Sequence, residues 1–205
     1  MTTRLFSVPR FVKWFYPEQI WSFEKHGGAY LTFDDGPHPE LTPWLLDYLK
    51  SENIVATFFL LGKHVEKYPH LVEAICAAGH DIGNHGHEHL RFGEVTDEEY
   101  FVNYRKGQHF QTINYFRPPY GRLNRSMAKR IGETSKLAMW SWLSYDFDLE
   151  VPGAVIVNKL EKQLRNGDIL VFHENEHTAN RLETLLPRVV EVIKKKGVAF
   201  KTFPK

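Results

Sequence analysis

The strongest constraint on the fold is a rhythm: short, uninterrupted apolar runs separated by longer segments of helical periodicity, repeated along the chain. A run such as VATFFLL at 55–61 is apolar at consecutive positions, so both of its faces must be covered. Parallel strands flanked by helices read this way, whereas half-wet antiparallel strands alternate. Strands are predicted at 29–33, 55–61, 80–84, 114–117, 137–142, 168–172 and 198–202. Helices are predicted near 40–50, 65–78, 97–111, 124–132, 153–165 and 180–196. Local chemistry supports several boundaries: TDEE at Thr96 to Glu99 fits a capping box, and Gly79 and Gly197 stand where helix ends favour a residue without Cβ. The class is α/β with parallel strands, as a wound sheet or a barrel, and in both the loops after the strand carboxyl ends form the usual site face.

Residues 1–27 precede the first predicted strand and carry the aromatic-rich stretch FVKWFYPEQIWSF. They are expected to form an extension packed on the main domain, 28–205, with these rings covering part of its core; the alternative is an exposed patch for a membrane surface or a partner. The N-terminus lacks the apolar stretch and small-residue cleavage site of a signal peptide, and no run approaches a transmembrane span. As it stands the chain reads as cytoplasmic, or as exported or envelope-associated if a leader is missing. With 26 Lys and Arg against 25 Asp and Glu, it has no overall field for a nucleic acid. Cys76 is the only cysteine, which excludes an intramolecular disulfide and a cysteine-rich zinc cluster.

The unusual polar residues fall at strand ends. Asp34 and Asp35 follow the first predicted strand, His85, His87 and His89 the third, Arg117 ends the fourth, Asp146 follows the fifth and His173 the sixth. In NHGHEH, His85 and His89 are four apart and on a helical turn would face one way, with His87 pointing elsewhere. Two imidazoles and a carboxylate suit zinc and related divalent ions, though this spacing also arises in solvated loops. Adjacent residues at a strand end point in different directions, so one of Asp34 and Asp35 can ligate an ion while the other takes a proton from water. The alternative is a hydrated Asp-Asp-Gly-Pro turn. In FRPPYG, two prolines stiffen the loop after Arg117 and leave the Tyr120 amide available where an oxyanion would develop. His173, at the same rim, can donate a proton to a leaving group.

Taken together, the chain resembles the polysaccharide deacetylases of carbohydrate esterase family four, from about Gly28 to Phe203. TFDDGPHP, HGHEH, RPPYG, LSYDF and LVFH are similar to its five motifs in order. The resemblance implies a distorted (β/α)7 barrel with 28–205 as the catalytic domain. It implies Asp34 as general base, Asp35, His85 and His89 as ligands of one divalent ion (zinc, cobalt or another transition metal), and Arg117 as the partner that orients Asp34. Tyr120 would supply an oxyanion amide, Asp146 would tune the general acid His173, Leu170 would line the acyl pocket, and Phe147 would replace the usual tryptophan wall. Apart from the resemblance, Trp140, Trp142 or Phe147 would stack on sugar rings or, as is commoner for an aromatic in or beside a strand, belong to the core.

Three positions depart from the family pattern: Gly86 stands for a Ser or Thr, Leu143 for an aspartate and Leu90 for a proline. The implied activity is hydrolysis of N-acetyl groups on a chitin-like or peptidoglycan-like glycan, releasing acetate. A deacylase or deformylase acting on a small or lipid-linked amide, and a degenerate glycan-binding domain, are the alternatives.

Overall fold

The computed structural model describes residues 4–204. In chain order its elements are α1 (Val12–Phe15), β1 (Gln19–Ile20), β2 (Ala29–Asp34), α2 (Leu41–Ser51), β3 (Thr57–Leu60), α3 (Gly62–Lys67), α4 (Pro69–Ala77), β4 (Asp81–Asn84) and α5 (Asp97–Gly107). Then follow β5 (Tyr115–Phe116), α6 (Arg125–Gly132), β6 (Lys136–Ala138), β7 (Trp142–Leu143), α7 (Gly153–Gln163), β8 (Asp168–His173) and α8 (Ala179–Lys195). The strands form one sheet in the order β1-β6-β5-β4-β3-β2-β8-β7, and every ladder is parallel.

The sheet curls toward a barrel. The link between β6 and β7 ties β1, at one end of the sheet, to β8, next to the other end: the Met139 amide donates to Ile20 O on β1, and the Ser141 amide donates to Ile169 O on β8. Because side chains alternate along a strand, the sheet sorts its residues into two sets. Leu31, Phe33, Phe58, Leu170 and Phe172 pack outward with Leu45, Leu49, Leu160, Leu186 and Ile193 of the surrounding helices. Tyr30, Phe59, Tyr115 and Ile169 point inward and form an aromatic plug with Phe23 and Phe203. Above this plug the inward positions of β2 are Thr32 and Asp34, and those of β8 are Val171 and His173. β2 and β8 run in register, with Asp34 opposite His173, so the two chemical groups arrive at one rim.

Several boundaries differ from the sequence expectation for physical reasons. The helix predicted over 65–78 is two helices, because Pro69 disfavours the helical conformation at Tyr68, which takes φ −130° and ψ 57°. The strand predicted over 137–142 is split by the link that crosses the seam, while β1 is a short strand that the apolar pattern did not mark. Residues 198–202 do not form a strand of the sheet: β3 occupies that edge of β2 from Thr32 onward, leaving the C-terminal segment a single bridge from Phe200 to Ala29. The capping box at Thr96 and Glu99 is present, and Gly79 and Gly197 have φ of 81° and 67°.

Of the early aromatic residues, Phe6, Trp21 and Phe23 are buried, whereas Phe11, Trp14 and Phe15 are exposed. No helix among the described residues is long and apolar enough to cross a membrane.

Candidate active site and metal centre

The floor of the site is a buried ion pair. Arg117, which follows β5, is fully buried, and its Nη1 donates to Asp34 Oδ1 at 2.6 Å and to Thr32 Oγ1 at 2.7 Å. Its remaining donors reach the Ala138 and Met139 carbonyls, and its guanidinium stacks on Phe59 at 4.1 Å. Such a charge is tolerable in a core only with a counter-charge and further hydrogen bonds of this kind. Burial pulls the Arg117 pKa down, while Asp34 opposes that shift. Asp34 is thereby fixed in position at the pocket floor, and its Oδ2 has no donor among the described residues.

Asp35 turns the other way. It takes φ +80°, a left-handed conformation that is costly for a residue with Cβ, and the turn sets its carboxylate against the loop after β4. Oδ1 lies 3.5 Å from His85 Nε2 and 3.3 Å from His89 Nε2, while Oδ2 accepts from Asn175 Nδ2 at 2.8 Å. Oδ1 is buried and has no hydrogen-bond donor among the described residues. The other nitrogen of His85, Nδ1, lies 2.8 Å from Arg117 O, which fixes it as the N–H and leaves the Nε2 lone pair facing Asp35.

One donor atom from each of Asp35, His85 and His89 falls within 4.8 Å of the others. Ligand bonds of 2.0–2.1 Å in a tetrahedral site place donor atoms about 3.3–3.4 Å apart, close to the two spacings here. Burial, with His85 beside it, pushes the His89 pKa down to about 4, so its imidazole is neutral and able to ligate at neutral pH. Burial acts to raise the Asp35 pKa, but His173, His85, His89 and the Asn175 hydrogen bond bring it below its ordinary value. An orphaned carboxylate oxygen between two imidazole lone pairs is a three-residue metal-coordinating site.

The expected helical turn across His85 and His89 does not form. Gly86 takes φ +84°, and a bent loop, rather than helical spacing, brings both rings to Asp35. His87 points away, beside Glu66 and Glu88.

Across the pocket, His173 Nδ1 lies 2.8 Å from Asp146 Oδ1, and Asp146 Oδ2 accepts from the His173 amide at 2.7 Å. Ser144 Oγ also donates to Asp146 Oδ1, so the carboxylate is held from several sides. Burial opposes a charge on His173, but the Asp146 carboxylate outweighs it and the pKa rises to about 9. Phe147 packs edge-on against the His173 ring, and Tyr120, at φ +58°, packs against His89. Asp34, Asp35, His85, His89, Tyr120, Phe147 and His173 line one pocket of about 580 Å³, together with Trp140, Leu143, Val171 and Asn175.

Residues 24–135, more than half of the chain, match the polysaccharide deacetylase family. The chain belongs to this family. It is 34% identical over 179 residues to a peptidoglycan-N-acetylglucosamine deacetylase of Bacillus cereus, covering 84% of each chain. It is 27% identical to a chitooligosaccharide deacetylase of Azorhizobium caulinodans, covering 88% of this chain and 95% of that one. Among solved structures it is similar to the peptidoglycan N-acetylglucosamine deacetylase Bc1960 in complex with an N-hydroxybenzamide, with a TM-score of 0.80 and 30% identity over 96% of this chain and 95% of that one.

Leu170, which the family resemblance put in the acyl pocket, belongs to the core, and Trp142 takes the core placement rather than the sugar-stacking one. Leu170 and Trp142 are both fully buried on the outward face, Trp142 beside Phe6 and Phe172. The pocket is lined instead by Val171 and Trp140. The reason for Val171 is the period of two: His173 faces inward, so its neighbour on that face is residue 171. Trp142→Ala should therefore act on folding, costing about 3–5 kcal/mol in urea denaturation. A raised KM at unchanged stability would put Trp142 back in the pocket.

The departures also find explanations. A side chain on Gly86 would place Cβ 2.7 Å from Asn103 Nδ2. Asn103 Oδ1 accepts from the Glu88 amide, and Asn84 Oδ1 accepts from the Gly86 amide, so two asparagines hold the loop without the family hydroxyl. Leu143 lines the pocket, and Leu90 packs with Phe92 on the cluster around Tyr100.

Sequence reasoning missed Asn175 and Glu174. Asn175 Oδ1 accepts from the His177 amide, which orients the side chain so that Nδ2 faces Asp35. Glu174 is buried beneath the Asp35–Pro37 turn and bonded to Thr42 Oγ1; burial pushes its pKa up to about 8. The two residues directly follow His173, which was the only available signal.

Proposed function

We propose that this protein hydrolyses N-acetyl groups on an amino-sugar glycan, releasing acetate and a free amine. The observation that carries the reading is the division of labour between neighbouring acids: Asp35 completes a metal triad while Asp34, locked on Arg117, stays outside it. A divalent ion seated on the triad supplies Lewis-acid chemistry, polarising an amide carbonyl and making water acidic near neutral pH. The two-nitrogen, one-oxygen donor set suits zinc, and cobalt or another first-row transition metal shares those preferences.

The rest of the work falls to the chain itself. Asp34 takes the proton of the attacking water, and Arg117 keeps that carboxylate from swinging onto the triad. The Tyr120 amide supplies a hydrogen bond to the oxygen that gains charge as the carbonyl becomes tetrahedral. His173 gives its proton to the departing nitrogen, and Asp146 holds the ring in the tautomer and charge state that this requires. Val171, Leu143 and Trp140 form an apolar wall for the acyl group. An N-acetyl substrate is tested against an N-formyl one by measuring free acid and free amine from matched tetrasaccharides. Acetate and amine in equal amounts are expected, and release of formate alone would make the protein a deformylase.

The acid role has a pH signature. His173 works protonated, so kcat should fall as pH rises through about 9. Asp146→Asn removes the carboxylate that favours the imidazolium, so this alkaline limb should move to lower pH by about 1–3 pH units. An unmoved limb in that variant would remove His173 as the acid.

A further inference from the structure

Glu174 is a buried acid that the chemistry above leaves unused. It follows His173 at the end of β8, and its amide donates to Asp34 O at 2.7 Å. His173 faces the pocket, so the period of two turns Glu174 away from it, under the turn that leaves β2. Its Oε1 accepts from Thr42 Oγ1, and the same Oγ1 accepts from the His38 amide at 2.8 Å, which ties the carboxylate to the far end of the turn. Oε2 is buried and has no hydrogen-bond partner among the described residues. An unmet buried oxygen costs stability, whereas an apolar side chain would fill the same space without that cost.

Gly36 gives the complementary observation. Its φ lies outside the left-handed region, so no backbone conformation calls for glycine there. Space does: a Cβ would overlap Glu174 Oε2 and lie 2.7 Å from its Cδ, and the three atoms nearest to it all belong to Glu174. The carboxylate is thus packed directly on the backbone that follows Asp35. The same backbone is held by the Leu61 amide, which donates to Gly36 O at 3.0 Å, and by His64 Nδ1, 2.7 Å from Asp35 O. The Asp35 carboxylate has a single hydrogen bond among the described residues, from Asn175, so the aim of Oδ1 at His85 and His89 depends on where this backbone sits.

We propose that Glu174 is a positioning residue for the metal ion: wedged under Gly36 and tied to Thr42, it sets the turn that aims Asp35 at the two imidazoles. It acts through Asp35 and does not line the pocket. The inference rests on the metal triad described above and adds a support that the three ligands do not include. Metal–ligand distances hold to within about 0.2 Å, so a small displacement of the turn is enough to weaken the site.

The test is zinc affinity, read by competition with a chromophoric chelator on protein shown to be folded by circular dichroism. Glu174→Ala should weaken zinc about 10- to 100-fold, whereas Glu174→Gln, which keeps the shape and the acceptor for Thr42, should stay close to the unsubstituted protein. Gly36→Ala pushes the same turn away from Glu174 and should weaken zinc likewise. In the Glu174→Ala background, however, Gly36→Ala should cost little more, because the side chain it collides with is gone. A merely structural role would lower the melting temperature of each variant and leave the zinc affinity of the folded protein alone. Acetate release at saturating zinc should return in Glu174→Ala, since Asp34 and His173 are untouched. If Glu174→Ala does not fold, Thr42→Val carries the test: it removes the tie alone and should weaken zinc where Thr42→Ser does not.

Unchanged zinc affinity in folded Glu174→Ala or Thr42→Val, or full additivity of Glu174→Ala and Gly36→Ala, overturns the role. An unsubstituted protein that binds no zinc overturns the triad and the role together. Glu174-dependent zinc binding without acetate release would instead sustain the role and sink the hydrolase reading.

Discussion

Asp34→Asn should retain the metal ion and lose about 10²–10⁴-fold in kcat, the range a positioned general base supplies. The two effects separate because Asp34 and Asp35 face different partners. Asp34 Oδ1 is held by Arg117 at 2.6 Å, whereas Asp35 Oδ1 lies between His85 and His89. Asparagine keeps an oxygen for Arg117 but cannot take a proton from water. It also leaves the fully buried Arg117 without its counter-charge, and breaking a buried pair costs about 3–5 kcal/mol. Thermal denaturation should therefore be followed alongside kcat and bound metal. A folded, metal-loaded Asp34→Asn protein that turns over normally would remove Asp34 as the base.

Asp35→Ala should fail in the other direction, with metal affinity lost first. Removing partners that only orient a ligand commonly costs 10- to 100-fold in metal affinity, so loss of the ligand itself should exceed about 100-fold. Competition with a chromophoric chelator reads this without any turnover assay. The loss of stability should be modest, because Asp35 Oδ1 has no donor among the described residues and the change removes one hydrogen bond, from Asn175, while alanine keeps the Cβ and with it the cost of φ +80°. Unchanged metal affinity would place the ion elsewhere.

Much of this site was legible because strands have a direction and a period. Uninterrupted apolar runs marked parallel strands, and polar residues just past their ends converged on one rim. Asp34 and His173 lie opposite each other in the β2–β8 register for that reason. The same period, applied backward from His173, would have selected Val171 over Leu170 for the pocket and left Leu170 in the core. Other features depended on contacts that no local pattern encodes. His85 and His89 meet through a left-handed glycine rather than a helical turn, so their spacing of four carried no geometric meaning. Asn175 reaches Asp35 across 140 positions of sequence, and its role follows from a single hydrogen bond. The short β1 and the split between β6 and β7 reflect closure of the sheet on itself, a property of the whole curl and of no single segment.

The most direct test of the account is a metal titration of stripped protein, with acetate release from an N-acetylated tetrasaccharide measured at each addition of zinc or cobalt. One ion held by Asp35, His85 and His89 predicts no release from the stripped protein, recovery that rises linearly to one equivalent, and no recovery in Asp34→Asn. Undiminished release after stripping, or saturation with metal and still no acetate, would contradict metal-dependent deacetylation by this triad.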